Sequence, residues 1–116
     1  MAKVVIYHNP RCGKSRQTLD LIRRRGIEPV VIEYLKTPPD EKTLAGILDR
    51  LGMTPRQVIR TKEKEYKKLG LNKPSVTDRQ LIRAMVAHPI LIERPIVLSG
   101  SKAALGRPPE NVEKIL

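Results

Sequence analysis

The first 34 residues carry a short apolar run, a Pro/Gly loop, a helical stretch and a second apolar run. Val4-Val5-Ile6-Tyr7 is continuous and apolar, as expected of a buried strand. His8-Asn9-Pro10-Arg11-Cys12-Gly13-Lys14-Ser15 then reads as a loop, because its Asn, Pro and Gly break regular structure. A helix follows, with Leu19 and Ile22 three apart beside Thr18 and Leu21, and Gly26 closes it. Pro29 opens a second strand, Val30-Val31-Ile32-Glu33-Tyr34. Strand, helix and strand over this span form a βαβ unit, whose crossover makes the two strands parallel.

The middle of the chain reads as helical. Thr37-Pro38-Pro39-Asp40-Glu41 is a helix-start signal, with Thr37 as the expected cap, Pro in the first turn and acids near the positive end. Leu44, Ile47, Leu48 and Leu51 then line one helical face up to Gly52. Thr54-Pro55 starts a shorter piece through Val58 and Ile59, and Thr77-Asp78 starts a helix with Leu81, Ile82, Met85 and Val86 on one face. Beyond His88-Pro89, Ile96-Val97-Leu98, a Ser99-Gly100-Ser101 turn and Ala103-Ala104-Leu105 read as a hairpin. Pro108-Pro109-Glu110 starts a last helix through Val112 and Ile115. The order is βαβ, a helical insertion over about residues 40–88, then ββα. That is the plan of a thioredoxin-like α/β fold with a four-stranded mixed sheet, expected here as a single domain over residues 1–116.

Composition narrows the function classes. The 23 Lys and Arg against 12 Asp and Glu leave a net charge of +11, which draws anions toward the chain. The bases are dispersed, and with three Tyr and no Phe or Trp there are few platforms on which bases could stack. A small oxyanion therefore fits the charge better than nucleic acid does. Apolar runs are short and broken by Pro or charge, so no membrane span is expected. No signal-peptide pattern opens the chain, and one cysteine cannot form an internal disulfide, so the expected compartment is the cytoplasm.

That cysteine, Cys12, lies between a strand and a helix. Free backbone N–H groups and the helix dipole favour an anion there, and such positions depress a thiol pKa. Cys12 reads either as a small buried hydrophobe or as a reactive thiol. The Pro/Gly loop and the neighbouring Arg11, Lys14 and Arg16 favour the second. His8, at the end of the strand, reads equally well as structural or catalytic. Cys12-Gly13-Lys14-Ser15 is Cys-x-x-Ser, so a dithiol cycling within one chain is excluded and a second thiol must come from another molecule. One Cys and two distant His make no zinc site, and no metal is expected. Arg94 before the third strand, Arg107 after the fourth and Arg60 in the insertion are candidates for pairing with a tetrahedral oxyanion. In so basic a chain they also read as solvated surface charge.

Taken together, Tyr7-His8-Asn9-Pro10-Arg11-Cys12-Gly13-Lys14-Ser15-Arg16, Tyr34-Leu35-Lys36-Thr37-Pro38-Pro39, His88-Pro89-Ile90-Leu91-Ile92-Glu93-Arg94-Pro95-Ile96-Val97 and Gly106-Arg107-Pro108 resemble the glutaredoxin-coupled arsenate reductase (ArsC) family. The chain stops at Leu116, earlier than the better-known arsenate reductases, and in this it resembles the family's short ArsC-like branch. The resemblance implies that Cys12 is the nucleophile attacking arsenate, that His8 helps keep it ionised, and that Arg60, Arg94 and Arg107 bind the oxyanion. Asn9, Ser15 and Pro95 would support the site, with a cis bond before Pro95. It implies no tightly bound cofactor; glutathione is the co-substrate and glutaredoxin the partner that restores the thiol. Two alternatives share the superfamily: an Spx-like regulator binding RNA polymerase, or a thiol oxidoreductase with another substrate. Ser15, where redox-switch regulators carry a second Cys, speaks against the first.

Overall fold

The computed structural model describes residues 3–116, and its contacts divide the chain into two compact units. The first unit comprises residues 3–37 together with Arg94–Leu116. It contains strand β1 (Val4–His8), helix α1 (Gly13–Arg24) and strand β2 (Val30–Glu33), followed by strands β3 (Ile96–Ser99) and β4 (Lys102–Leu105) and a 3₁₀ helix over Pro109–Ile115. The sheet order is β2-β1-β3-β4. β1 runs parallel to β2, with Ile6 opposite Val31, and antiparallel to β3, with Ile6 opposite Val97; β3 and β4 form an antiparallel hairpin. This is the mixed four-stranded α/β sheet of the thioredoxin-like plan.

The two-residue period of β1 puts Val4, Ile6 and His8 on one face. Val4 and Ile6 pack with Leu21 and Ile22 of α1, Val97 of β3 and Val112 of the last helix. Because this face is covered by α1, the same alternation directs His8 beneath the first turn of that helix. The helix ends as its sequence suggests: Gly26 takes φ +79°, and the N–H groups of Gly26 and Ile27 bond the carbonyls of Arg23 and Ile22.

The second unit, Pro38–Glu93, extends beyond both ends of the expected insertion. Helix α2 (Glu41–Leu51) packs on α5 (Asp78–Ala87), as does α3 (Pro55–Val58), while α4 (Lys64–Lys68) buries no residue. Leu44, Ile47, Leu48, Val58, Leu81, Met85 and Leu91 are buried. α3 and α5 start with reciprocal caps between Thr54 and Gln57 and between Thr77 and Gln80. Among the described residues, no helix is long and apolar enough to cross a membrane.

Several local expectations are corrected. The cap of α2 is Asp40, whose carboxylate accepts from the Thr43 N–H at 2.7 Å, and not Thr37. The helix starts after both prolines, which leaves the Thr37 hydroxyl too far upstream to reach a free N–H. Ile59 leaves α3 in an extended conformation and forms a β-bridge with Ile92. Tyr34 lies just past β2 and is buried. Ser99 belongs to β3 and pairs with Lys102, so the turn is Gly100-Ser101, with Gly100 at φ +60° as a two-residue hairpin requires. The last helix is 3₁₀, with the Asn111 N–H on the Pro108 carbonyl, a geometry favoured in short terminal pieces.

Candidate functional site

Cys12 is the N-cap of α1, with extended backbone (φ −94°, ψ 122°) and a half-buried thiol. The loop before it is held by its own polar groups. The Cys12 N–H donates to the Asn9 carbonyl at 3.0 Å, and the Arg11 N–H to Asn9 Oδ1 at 3.0 Å. The Asn9 N–H in turn donates to Ser15 Oγ at 3.0 Å, and His8 Nδ1 lies 2.7 Å from that same oxygen. His8, Asn9 and Ser15 are all buried. Buried polar groups persist only when satisfied, and these three satisfy one another and fix the loop's shape.

Burial pushes the His8 pKa below its usual value; Glu33 acts against this, while Arg23 and Arg16 add to it. His8 is thus a neutral ring whose hydrogen bond goes to Ser15. Burial is also the largest single influence on the Cys12 thiol and acts to raise its pKa. The backbone N–H groups of Ser15 and Lys14, with the charge and hydrogen bond of Arg94, outweigh it and leave the pKa below that of an ordinary cysteine. Arg107 converges on the same sulfur, with Nη2 at 3.6 Å from Sγ while Nε donates to the Arg94 carbonyl at 2.8 Å. The Arg94–Pro95 peptide is cis, as the resemblance implies, and so is Arg107–Pro108.

Two guanidiniums and the start of a helix therefore face one thiol. The neighbours that composition singled out contribute less: Arg11 and Lys14 are exposed, and Arg16 turns back to the Pro10 carbonyl at 2.9 Å. Arg60 belongs to the second unit, where Nε donates to Glu63 at 3.1 Å and Nη1 to Glu93 at 2.6 Å. These two acids were missed from sequence, although Glu63 lies three residues from Arg60. Glu93 reaches it only because Ile59 and Ile92 pair across the chain. A groove of about 350 Å³ runs between the His8–Arg11 stretch and Glu33, Leu35 and Lys36, but Cys12 does not line it. Among the described residues no cluster of His, Cys, Asp and Glu could hold a metal ion.

The lowered thiol pKa has two measurable consequences. Alkylation of Cys12 by iodoacetamide should keep its rate at pH values below the ~8.5 of an unperturbed cysteine; a midpoint at or above that value would remove the activated thiol. The thiolate's contribution to stability should be complete above the unfolded cysteine's pKa and be lost as pH falls through the lower folded value. Denaturant midpoints of the parent and of Cys12→Ser across this window test the sign, since only the parent should show that loss.

Known proteins resemble this chain over almost its whole length. The ArsC family pattern matches residues 7–115. An arsenate reductase of Neisseria meningitidis serogroup A is 49% identical, with all of both chains covered. The Escherichia coli K12 protein described as uncharacterized protein YfgD is 51% identical, covering 98% of this chain and 97% of its own. The solved arsenate reductase of Vibrio cholerae superposes with a TM-score of 0.96 at 48% identity, over 99% of this chain and 98% of that one.

Proposed function

Because the chain belongs to the ArsC family, we propose that it is an arsenate reductase in which Cys12 attacks arsenic directly. One observation carries the reading: a thiol of lowered pKa at a helix start has the Arg94 and Arg107 guanidiniums on its sulfur. A cationic pocket around a nucleophile is what a negatively charged substrate needs, since thiolate and oxyanion otherwise repel.

The Cys12 thiolate attacks the arsenic(V) of arsenate and forms an S–As bond as hydroxide or water leaves. Arg94 and Arg107 hold the oxygens. The resemblance implies Arg60 as a third guanidinium; within the second unit Arg60 pairs with Glu63 and Glu93. Glutathione thiolate then attacks the Cys12 sulfur. The S–As bond breaks with its electron pair on arsenic, so arsenic(III) departs as arsenite and a Cys12–glutathione disulfide remains. Glutaredoxin takes up the glutathione by thiol–disulfide exchange and frees Cys12. Both thiol partners belong to a reducing compartment, the cytoplasm.

A redox switch on RNA polymerase lacks comparable support, because the last residue of Cys-x-x-Ser, where such a switch needs a second Cys, is a buried Ser15 engaged with His8 and Asn9. The test is NADPH oxidation coupled through glutathione reductase, glutathione and glutaredoxin. Oxidation should depend on arsenate and on both thiol partners. Rates that ignore arsenate would end this reading.

A further inference from the structure

Gly106 follows β4 and immediately precedes Arg107, and the space around it is too small for a side chain. A Cβ built on it would overlap Thr18 Oγ1 and lie 2.7 Å from Pro95 Cγ and 3.0 Å from Thr18 Cγ2. Neither neighbour yields easily. Thr18 is fully buried and its hydroxyl donates to the Lys14 carbonyl at 2.8 Å; Pro95 Cγ belongs to the closed ring of a buried residue. Gly106 is not among the glycines with positive φ, so the position demands space and not backbone freedom.

Three segments meet where that side chain is missing. α1 begins just after Cys12 and carries Thr18. The Arg94-Pro95 segment supplies the Pro95 carbonyl, which accepts from the Gly106 N–H at 2.9 Å. The third segment is Gly106-Arg107 itself. We propose that Gly106 is a positioning residue: lacking a Cβ, it lets the segments bearing Cys12, Arg94 and Arg107 close to the distance at which both guanidiniums reach the sulfur. A methyl group there must move Pro95 from 2.7 Å to at least the 3.4 Å of ordinary contact. The Arg107–Cys12 approach is 3.6 Å, within hydrogen-bond reach of the larger sulfur atom, and further separation weakens it. Misplacement on this scale, away from the reacting atoms, costs on the order of 10²-fold in rate.

This inference rests on Cys12 as the nucleophile, so its test includes a readout that needs no arsenate. Gly106→Ala should shift the alkylation midpoint of Cys12 upward and lower kcat/KM about 10²-fold. Gly46→Ala, where a Cβ meets nothing within 4 Å, should leave both as in the parent. Adding Thr18→Ala to Gly106→Ala removes two of the three close approaches and should restore part of both readouts. A purely structural role would lower the melting temperature without moving the thiol titration of the folded protein. A folded Gly106→Ala with the parent's titration and kcat/KM overturns the proposal. Should Gly106→Ala not fold, the double variant carries the same comparison; failure of both to fold makes Gly106 a residue of stability alone and overturns it too. A shifted titration in a protein that does not reduce arsenate would refute the assigned reaction and leave the positioning role standing.

Discussion

Replacing Cys12 with Ser should abolish arsenate reduction, by at least about 10³-fold, and leave the fold intact. A hydroxyl at this position stays protonated at neutral pH and cannot complete the cycle, because release of arsenite requires a sulfur that forms a disulfide with glutathione. The fold should survive because the thiol is half-buried and belongs to no core cluster, and a serine hydroxyl can accept from the same helix-start N–H groups. Serine is a preferred N-cap residue, so the variant should still melt cooperatively, short of the parent by no more than the thiolate's own contribution. The coupled assay and a thermal melt, run on the same preparation, separate the outcomes. Turnover retained by Cys12→Ser would end the covalent mechanism, and turnover lost together with the melting transition would make Cys12 structural.

Removing either guanidinium at the sulfur should cost about 10²–10³-fold in kcat/KM, the scale found for single donors that stabilise charge in a transition state. The two variants should differ in a diagnostic way. Arg94→Ala removes a hydrogen bond and a charge that lower the thiol pKa, so its alkylation midpoint should rise as well. Arg107→Ala removes the 3.6 Å approach to the thiol and the 2.8 Å bond to the Arg94 carbonyl. That bond is worth about 1 kcal/mol of stability, too little to unfold the unit. Arg107→Lys should recover only part of the rate, since an ammonium lacks the planar fork that pairs two oxygens at once. Protection of Cys12 from iodoacetamide by arsenate or sulfate gives a direct binding readout, and it should weaken in both alanine variants. If the +11 charge served nucleic acid instead, affinity would fall steeply with salt and scattered lysines would matter as much as these arginines. Unchanged protection and turnover in both variants would remove the oxyanion site.

Elements whose cause is local were legible before any coordinates. The Val4–Tyr7 run, the Pro/Gly loop, the helix ending at Gly26 and the caps at Thr54 and Thr77 rest on periodicity, turn chemistry and capping, all of which act within a few residues. The errors fell where two nearby signals competed, as with Thr37 and Asp40 before α2, or where the choice lay between α and 3₁₀ geometry in the last seven helical residues. The position of Cys12 as N-cap is likewise a local matter, and with it the exposure of the thiol to helix-start N–H groups.

What the chain alone determined, then, was the element order, the thiol's place at the start of a helix and the set of arginines that could serve it. Which arginines reach the sulfur was decided only in three dimensions. Arg94 and Arg107 are more than eighty residues from Cys12 in sequence and meet it because β3 pairs with β1 and β4 returns beside β3. Arg60 is held by Glu63 and Glu93, while Arg16, close to Cys12 in sequence, turns to a backbone carbonyl. The partner of His8 follows from strand alternation once α1 covers that face, and the need for glycine at 106 follows from Thr18 and Pro95, which lie far from it or across a strand pair in sequence. Packing at contact distance depends on the register of paired strands and on the docking of a helix across them. Those are non-local quantities, and no window of neighbouring residues encodes them.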